Sequence, residues 1–251
     1  MTQIPNQDPV EERNMTLIEH LTDLRVCLTK SAYAILFGTV VAWTISQQVF
    51  DVVRAPIAPY LPSGGLVFTG PIDKFMAHVK ISFIVGMILS APFWLYQIWK
   101  FISPALYQKE KRFAVGFITF GTTQFLLGIA FSYYIVLPMA FKFLMHFGGD
   151  TDKPMITIDQ YLGFFTQTAL VFGLTFEMPV IITFLGMMGL VSKTYLKEKR
   201  KYAVVGITVV SAIAAPPDAL SMVLLMIPLW VMYEISIVLV GFFEKGKVES
   251  V

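Results

Sequence analysis

The sequence predicts an all-α integral membrane protein that crosses the bilayer six times as one polytopic domain, residues 1–251. Three observations carry this. Of its 251 residues 56% are hydrophobic and only 14% charged, with a mean hydropathy of +0.68, whereas a soluble domain carries roughly 25% charged residues on its wet surface. The apolar residues gather in runs near the 20 or so that a helix needs to cross a hydrocarbon core roughly 30 Å thick. The basic residues fall unevenly between alternate loops. A secreted soluble domain, a disordered chain and a nucleic-acid binder are excluded by the same figures.

Residues 1–28 form a polar cytoplasmic segment. The extreme amino terminus has no basic region and no small-residue cleavage site, so it does not read as a cleaved signal peptide. Within this segment, IEHLTDLR (Ile18 to Arg25) alternates Ile18, Leu21 and Leu24 with Glu19, His20, Asp23 and Arg25. Helical spacing of that kind predicts an amphipathic helix lying at the interface; a plain anchor is the structural alternative. The six-span bundle then occupies residues 29–243. The first span, Ser31 to Phe50, is free of charge. The loop from Asp51 to Lys74 is rich in proline and glycine yet too apolar for a solvated linker, and is expected to fold over the mouth on its side of the membrane.

The second span runs from Lys80 to Trp99. The loop FISPALYQKEKR, Phe101 to Arg112, sets Glu110 among Lys109, Lys111 and Arg112. The third span, Phe113 to Phe141, is longer than one crossing requires and must tilt or project. The fourth, Tyr161 to Gly189, contains a single ionisable residue, Glu177. The fifth and sixth, Tyr202 to Pro217 and Ala219 to Tyr233, are short, with Glu234 interrupting the apolar run beyond. Pro216, Pro217 and Asp218 make a tight corner between them. A re-entrant last hairpin would reduce the count to four or five. Residues 244–251 form a tail.

Fourteen of the 19 Lys and Arg residues fall in the set of loops that includes both termini. Basic residues near span ends mark the cytoplasmic face, so both termini are expected there.

Catalytic and cofactor motifs do not occur: there is no HExxH, GxSxG, Walker motif, GxGxxG or CxxC. No catalytic residue, cofactor or metal is expected, and the chain does not read as an enzyme. Cys27 rules out an internal disulfide framework and reads as an inert thiol. Gly38, Gly121 and Gly128 read as packing notches.

Four features remain. The Ile18 to Arg25 helix is one. Glu110 is the second: a carboxylate at a membrane face can take a cationic partner through charge-assisted hydrogen bonds, bidentate if the partner is arginine; self-compensation by its basic neighbours is the bland alternative. Glu177 in FGLTFEMPV is the third. Ionisable groups at membrane depth are costly and mark function by default. Pro179, two residues on, frees a backbone carbonyl near Phe176 or Thr175, so a polar dent lined by Thr175 and Thr183 is expected, against a buried structural hydrogen bond. The fourth is the AAPPD corner, where Asp218 could serve simply as a helix cap.

In their order, HLTDLR, SAPFWLYQIWKFISPALYQKEKR, FGLTFEMPV, APPD and IPLWVMYEIS resemble the TatC family, the core subunit of the twin-arginine protein translocase, over about Met15 to Phe243. The resemblance implies a concave, glove-like bundle in the inner membrane of a prokaryote. It also implies binding of twin-arginine signal peptides of folded cargo at the cytoplasmic face. Single-span TatA- and TatB-type partners, self-association and export driven by the proton-motive force follow from it as well. By motif, Asp23 and Glu110 correspond to the acids that contact the arginine pair. Arg25, Phe101, Leu106, Tyr107 and Arg112 share that patch, Glu177 is the intramembrane polar position for partner docking, and Pro56 and Asp218 match periplasmic-side positions. The family commonly has glutamate where this chain has Asp23, one methylene shorter. Two rivals from the residues alone are a secondary transporter using Glu177 as a proton or ion site and an intramembrane hydrolase.

Overall fold

A computed structural model describes residues 17–61, 65–102, 114–147, 155–214 and 219–248. Among them the regular elements are helical: α1 (Leu17–Trp43), α2 (Ser46–Arg54), a single turn at Ala58–Tyr60, α3 (Asp73–Leu89), α4 (Ala91–Ile102), α5 (Ala114–Phe131), α6 (Leu137–His146), α7 (Ile158–Phe176), α8 (Met178–Met187), α9 (Lys193–Glu198), α10 (Arg200–Ala214) and α11 (Ala219–Val248). Among the described residues four stretches are long and apolar enough to cross a membrane: Leu21–Trp43, Val115–His146, Ile158–Met187 and Leu225–Glu244. A fifth results if the bent pair α3 and α4 crosses as one.

Prolines mark three breaks in the long helices, although Pro228 lies inside the unbroken α11 (Ala219–Val248). Proline cannot donate to the preceding turn and crowds it, yet it is well tolerated in a helix's first turn. Pro92, Pro138 and Pro179 each stand second in α4, α6 and α8. Before each lies an interruption: Ser90, the wide five-residue π turn Ser132–Val136, and Glu177. The α3–α4 break bends the chain by 58°, so the expected second span is two segments meeting at Ser90. Trp94 spans the bend by donating its indole N–H to the Met87 carbonyl (3.1 Å).

The Ile18 to Arg25 segment is helical as its spacing predicts and forms the first turns of α1, which runs unbroken into the apolar stretch; no glycine or proline between residues 25 and 37 interrupts it. Two bounds are corrected. That helix ends at Trp43 rather than Phe50. The sixth span is not short. Helix α11 continues through Glu234 to Val248, and Arg200 pairs with that partly exposed carboxylate at 2.6 Å. Helix α10, where the fifth span is expected, has 15 residues, about 22 Å, and is not among the described stretches long and apolar enough to cross a membrane.

Helices α1 and α3 cross at glycines. A methyl group on Gly38 would lie 2.5 Å from the Gly86 carbonyl oxygen, and one on Gly86 only 2.3 Å from the Thr39 nitrogen. Gly128 permits the same approach to the Phe172 carbonyl, at 2.5 Å. Close backbone packing through small residues is the usual way membrane helices associate. Gly38 and Gly128 are the packing notches expected of them.

The core lies in three clusters. One closes the end of the bundle that carries α2, where Ile57 is fully buried among Ile81, Leu137, Phe141, Tyr161 and Leu162. Tyr161 donates its hydroxyl to the Val53 carbonyl and Tyr133 to Val52 (2.8 Å). The loop after α2 therefore packs on the bundle, as its apolar content predicts. It is strapped to the start of α7 by a short parallel bridge, Val67 N–H to Ile156 O (3.0 Å) and Ile158 N–H to Val67 O (2.8 Å). Lys80 and Asp159 form an ion pair beside it. We expect Tyr161→Phe to lower stability by about 1–2 kcal/mol, read as a fall of the thermal unfolding midpoint in detergent.

A second cluster joins α7, α10 and α11 through Phe172, Ile207, Leu225, Leu229 and Ile237. At its other end α9 is clamped: Glu244 accepts from the Lys193 N–H (2.9 Å) and Tyr233 donates to the Leu196 carbonyl (2.8 Å). The third cluster, Ala91, Trp94 and Phe125, sits under the α3–α4 bend with Ile35 of α1 against it. Outward faces are apolar. Phe37, Val40 and Ile213 are among many large hydrophobic side chains left exposed, which suits lipid and not water.

Candidate functional site

Helices α1 and α3–α4 pack antiparallel, with Gly38 against Gly86 and Ile35 against the Ala91–Trp94 cluster. Asp23 lies about four turns before Gly38, and Phe101 about four turns beyond Gly86. That register carries the start of α1 and the end of α4 to the same end of the bundle. Asp23 and Arg25 are exposed there and Phe101 is half-buried. Leu106, Tyr107, Glu110 and Arg112, in the loop that follows α4, lie outside the described residues, as does Asp218. Pro56 is half-buried at the opposite end, between Val53 and the fully buried Ile57.

The geometry is most detailed around Glu177. This residue is both the last cap of α7 and the first of α8. Its N–H reaches back to the Leu174 carbonyl (3.1 Å), and its own carbonyl accepts from Ile181 (3.0 Å). The side chain is 5% exposed, and its Oε1 is buried with no hydrogen-bond partner. The structural alternative, a buried hydrogen bond, is not what the geometry holds for that oxygen. It lines a pocket of about 290 Å³ between α4, α5, α7 and α8, together with Trp94, Trp99, Phe117, Gly121 and Phe184.

The dent is therefore aromatic and not threonine-lined. Thr183 faces a neighbouring apolar pocket with Phe120, Leu239 and Phe243, and Thr175 does not line the Glu177 pocket. Trp99 stacks on Phe117 (4.8 Å between centroids) and meets Phe184 edge-on (4.9 Å). Gly121 makes room for the acid: a methyl there would stand 3.1 Å from Glu177 Oε2. Sequence reading assigned Gly121 to packing and missed Trp94, Trp99, Phe117 and Phe184. The arrangement offers one carboxyl group in an apolar recess, which is suited to accept a hydrogen bond from a group that brings its own apolar surroundings.

Comparison with known proteins gives a consistent picture. A family model described as the Sec-independent protein translocase protein (TatC) matches residues 19–228. A Sec-independent protein translocase protein TatC from Aquifex aeolicus is 39% identical over 237 residues, covering 94% of this chain and 98% of that protein. The one from Escherichia coli K12 is 36% identical over 238 residues, 94% of this chain and 92% of the relative. A crystal structure of the twin-arginine translocase receptor TatC superposes with a TM-score of 0.81 at 38% identity, over 90% of this chain and 100% of that one.

Proposed function

The chain belongs to the TatC family of Sec-independent protein translocase proteins, and from that premise we propose that it receives twin-arginine signal peptides at the end of the bundle where α1 begins and α4 ends. Membership makes it a translocase component and not an enzyme, and displaces the transporter and hydrolase readings. In the proposed topology α1, α3–α4, α5–α6, α7–α8, α10 and α11 make six crossings in the inner membrane. Both termini and the receiving end are cytoplasmic, and the overall form is a concave glove.

The observation that carries the reading is the antiparallel register of α1 on α3–α4. It supports bringing Asp23 beside the loop that contains Glu110. Two guanidinium groups, each with a rigid fork of donors, then meet two carboxylates. Arg25, Phe101, Leu106, Tyr107 and Arg112 shape the patch around them, and Pro56 and Asp218 act on the periplasmic side. Bound cargo leads to recruitment of TatA- and TatB-type partners, with export driven by the proton-motive force and the receptor self-associating.

Co-purification of the full chain with a twin-arginine signal peptide tests this. We expect retention of that peptide and at least a tenfold loss for the twin-lysine form, since lysine cannot make the bidentate pairing; equal retention would overturn the reading. At Glu177 we propose docking of a partner helix through its polar side chain. Glu177→Ala is expected to abolish crosslinks between this pocket and the single-span partners, and unchanged crosslinking would refute the role.

A further inference from the structure

The corner between α9 and α10 carries an unusual concentration of positive charge. Five of the residues from Lys193 to Lys201 are basic and Glu198 is the single acid among them. Arg200 is committed to Glu234. Lys197, Lys199 and Lys201 are exposed and none of them forms a salt bridge among the described residues. Lys199 and Lys201 converge on one ring, with their ammonium groups 5.3 and 5.2 Å from the centroid of Tyr202. Lys199 also lies 5.6 Å from the ring of Tyr195. The ring draws each cation and so keeps two like charges near one another at this corner, and an anion bound there relieves their mutual repulsion.

The scaffold beneath is fixed. Leu196 is buried, its carbonyl is held by Tyr233, and Glu244 holds the first N–H of α9. A site with its charges already ordered gives up little freedom on binding.

Directly beyond the cations, α10 presents an apolar stripe. Tyr202, Val205, Val209 and Ile213 are 61%, 62%, 52% and 69% exposed and lie on one helical face, while Ile207 and Ser211 turn inward and are buried. The stripe is about 16 Å long at 1.5 Å per residue, close to half of the roughly 30 Å hydrocarbon core. Charge at one end and one leaflet's depth of apolar surface below it are the two halves of a lipid.

We propose that this corner binds one anionic phospholipid, its phosphate held between Lys199 and Lys201 beside Tyr202 and an acyl chain lying along Val205, Val209 and Ile213. The proposal is independent of the signal-peptide reading, whose residues lie elsewhere.

The full chain in nanodiscs of phosphatidylcholine doped with phosphatidylglycerol provides the test, with retained lipid counted by native mass spectrometry. The wild-type protein is expected to retain phosphatidylglycerol in preference to phosphatidylcholine. Lys199→Gln with Lys201→Gln should weaken that retention at least tenfold, following the roughly fivefold expected for each lysine near an anionic surface. Lys74→Gln, at the other end of the bundle, should leave it unchanged and controls for general charge. Val205→Ser with Val209→Ser should shorten the lipid's residence while keeping the headgroup preference. Millimolar inorganic phosphate should fail to displace the lipid, since it lacks the chain. Equal retention of the two lipids, an unaffected double-lysine variant, or displacement by phosphate alone would overturn the proposal. So would crosslinking from Val209 that captures a polypeptide helix with no dependence on phosphatidylglycerol.

Discussion

A valine at position 86 leaves little folded protein, the largest stability loss we expect from any single apolar substitution in the bundle. The first atom it adds would stand 2.3 Å from the Thr39 nitrogen and 2.5 Å from its Cα. Overpacking against side chains costs typically 1–3 kcal/mol because they rotate away. Backbone atoms of α1 have no rotamer to change, so the two helices must separate, and the loss is expected to exceed about 3 kcal/mol. The monodisperse fraction after detergent extraction and its thermal midpoint measure this. Gly206→Ala is the matched control: nothing lies within 4 Å of a methyl there, and removing a helical glycine stabilises by roughly 0.5–1 kcal/mol. A wild-type midpoint for Gly86→Val would show that α1 and α3 do not depend on contact at that crossing.

Glu110→Lys abolishes export of a twin-arginine reporter if the receptor reading holds, while the protein still inserts and extracts normally. The substitution removes a charge-assisted pairing worth about 1.5–3 kcal/mol and puts a like charge in its place, so signal-peptide affinity should fall at least a hundredfold, or about 2.7 kcal/mol. Lys109, Lys111 and Arg112 flank the position, so the variant loop carries four consecutive cations and repels the arginine pair more strongly than a neutral replacement would. Asp23→Glu is the companion. Restoring the longer side chain should preserve export, because charge is kept and reach is gained. Reporter location in fractionated cells reads both. Normal export by Glu110→Lys would remove that residue from the recognition surface.

The helix breaks were legible in the sequence, though only in part. Pro179 was read as freeing a carbonyl beside Glu177, and it does sit just past a break; Pro92 and Pro138 carry the same information, yet hydropathy alone made Lys80 to Trp99 look like one straight span. Local chemistry announces such interruptions. Distant chemistry does not: Glu234 reads as an interruption until Arg200, 34 residues earlier, is seen to pair with it. Gly38 could be read as a packing notch, but its partner Gly86 is likewise invisible along the chain, because glycines elsewhere, at Gly116 and Gly163, face open space. At the candidate site Glu177 could be named from its cost in an apolar setting. Trp94, Trp99 and Phe184 could not, since in a chain with 22 phenylalanines and 4 tryptophans an aromatic lining a recess is written the same way as one facing lipid.

The strap between Val67 and the beginning of α7 is fastened by two main-chain hydrogen bonds. Attachment of that kind is indifferent to the side chain at Val67 itself, whereas its neighbours Leu66, Ile156 and Ile158 pack into the core and are constrained by it. The strap's veto falls on proline at 67, which would delete the donor to Ile156 and unfasten the flap while leaving every buried apolar residue in place.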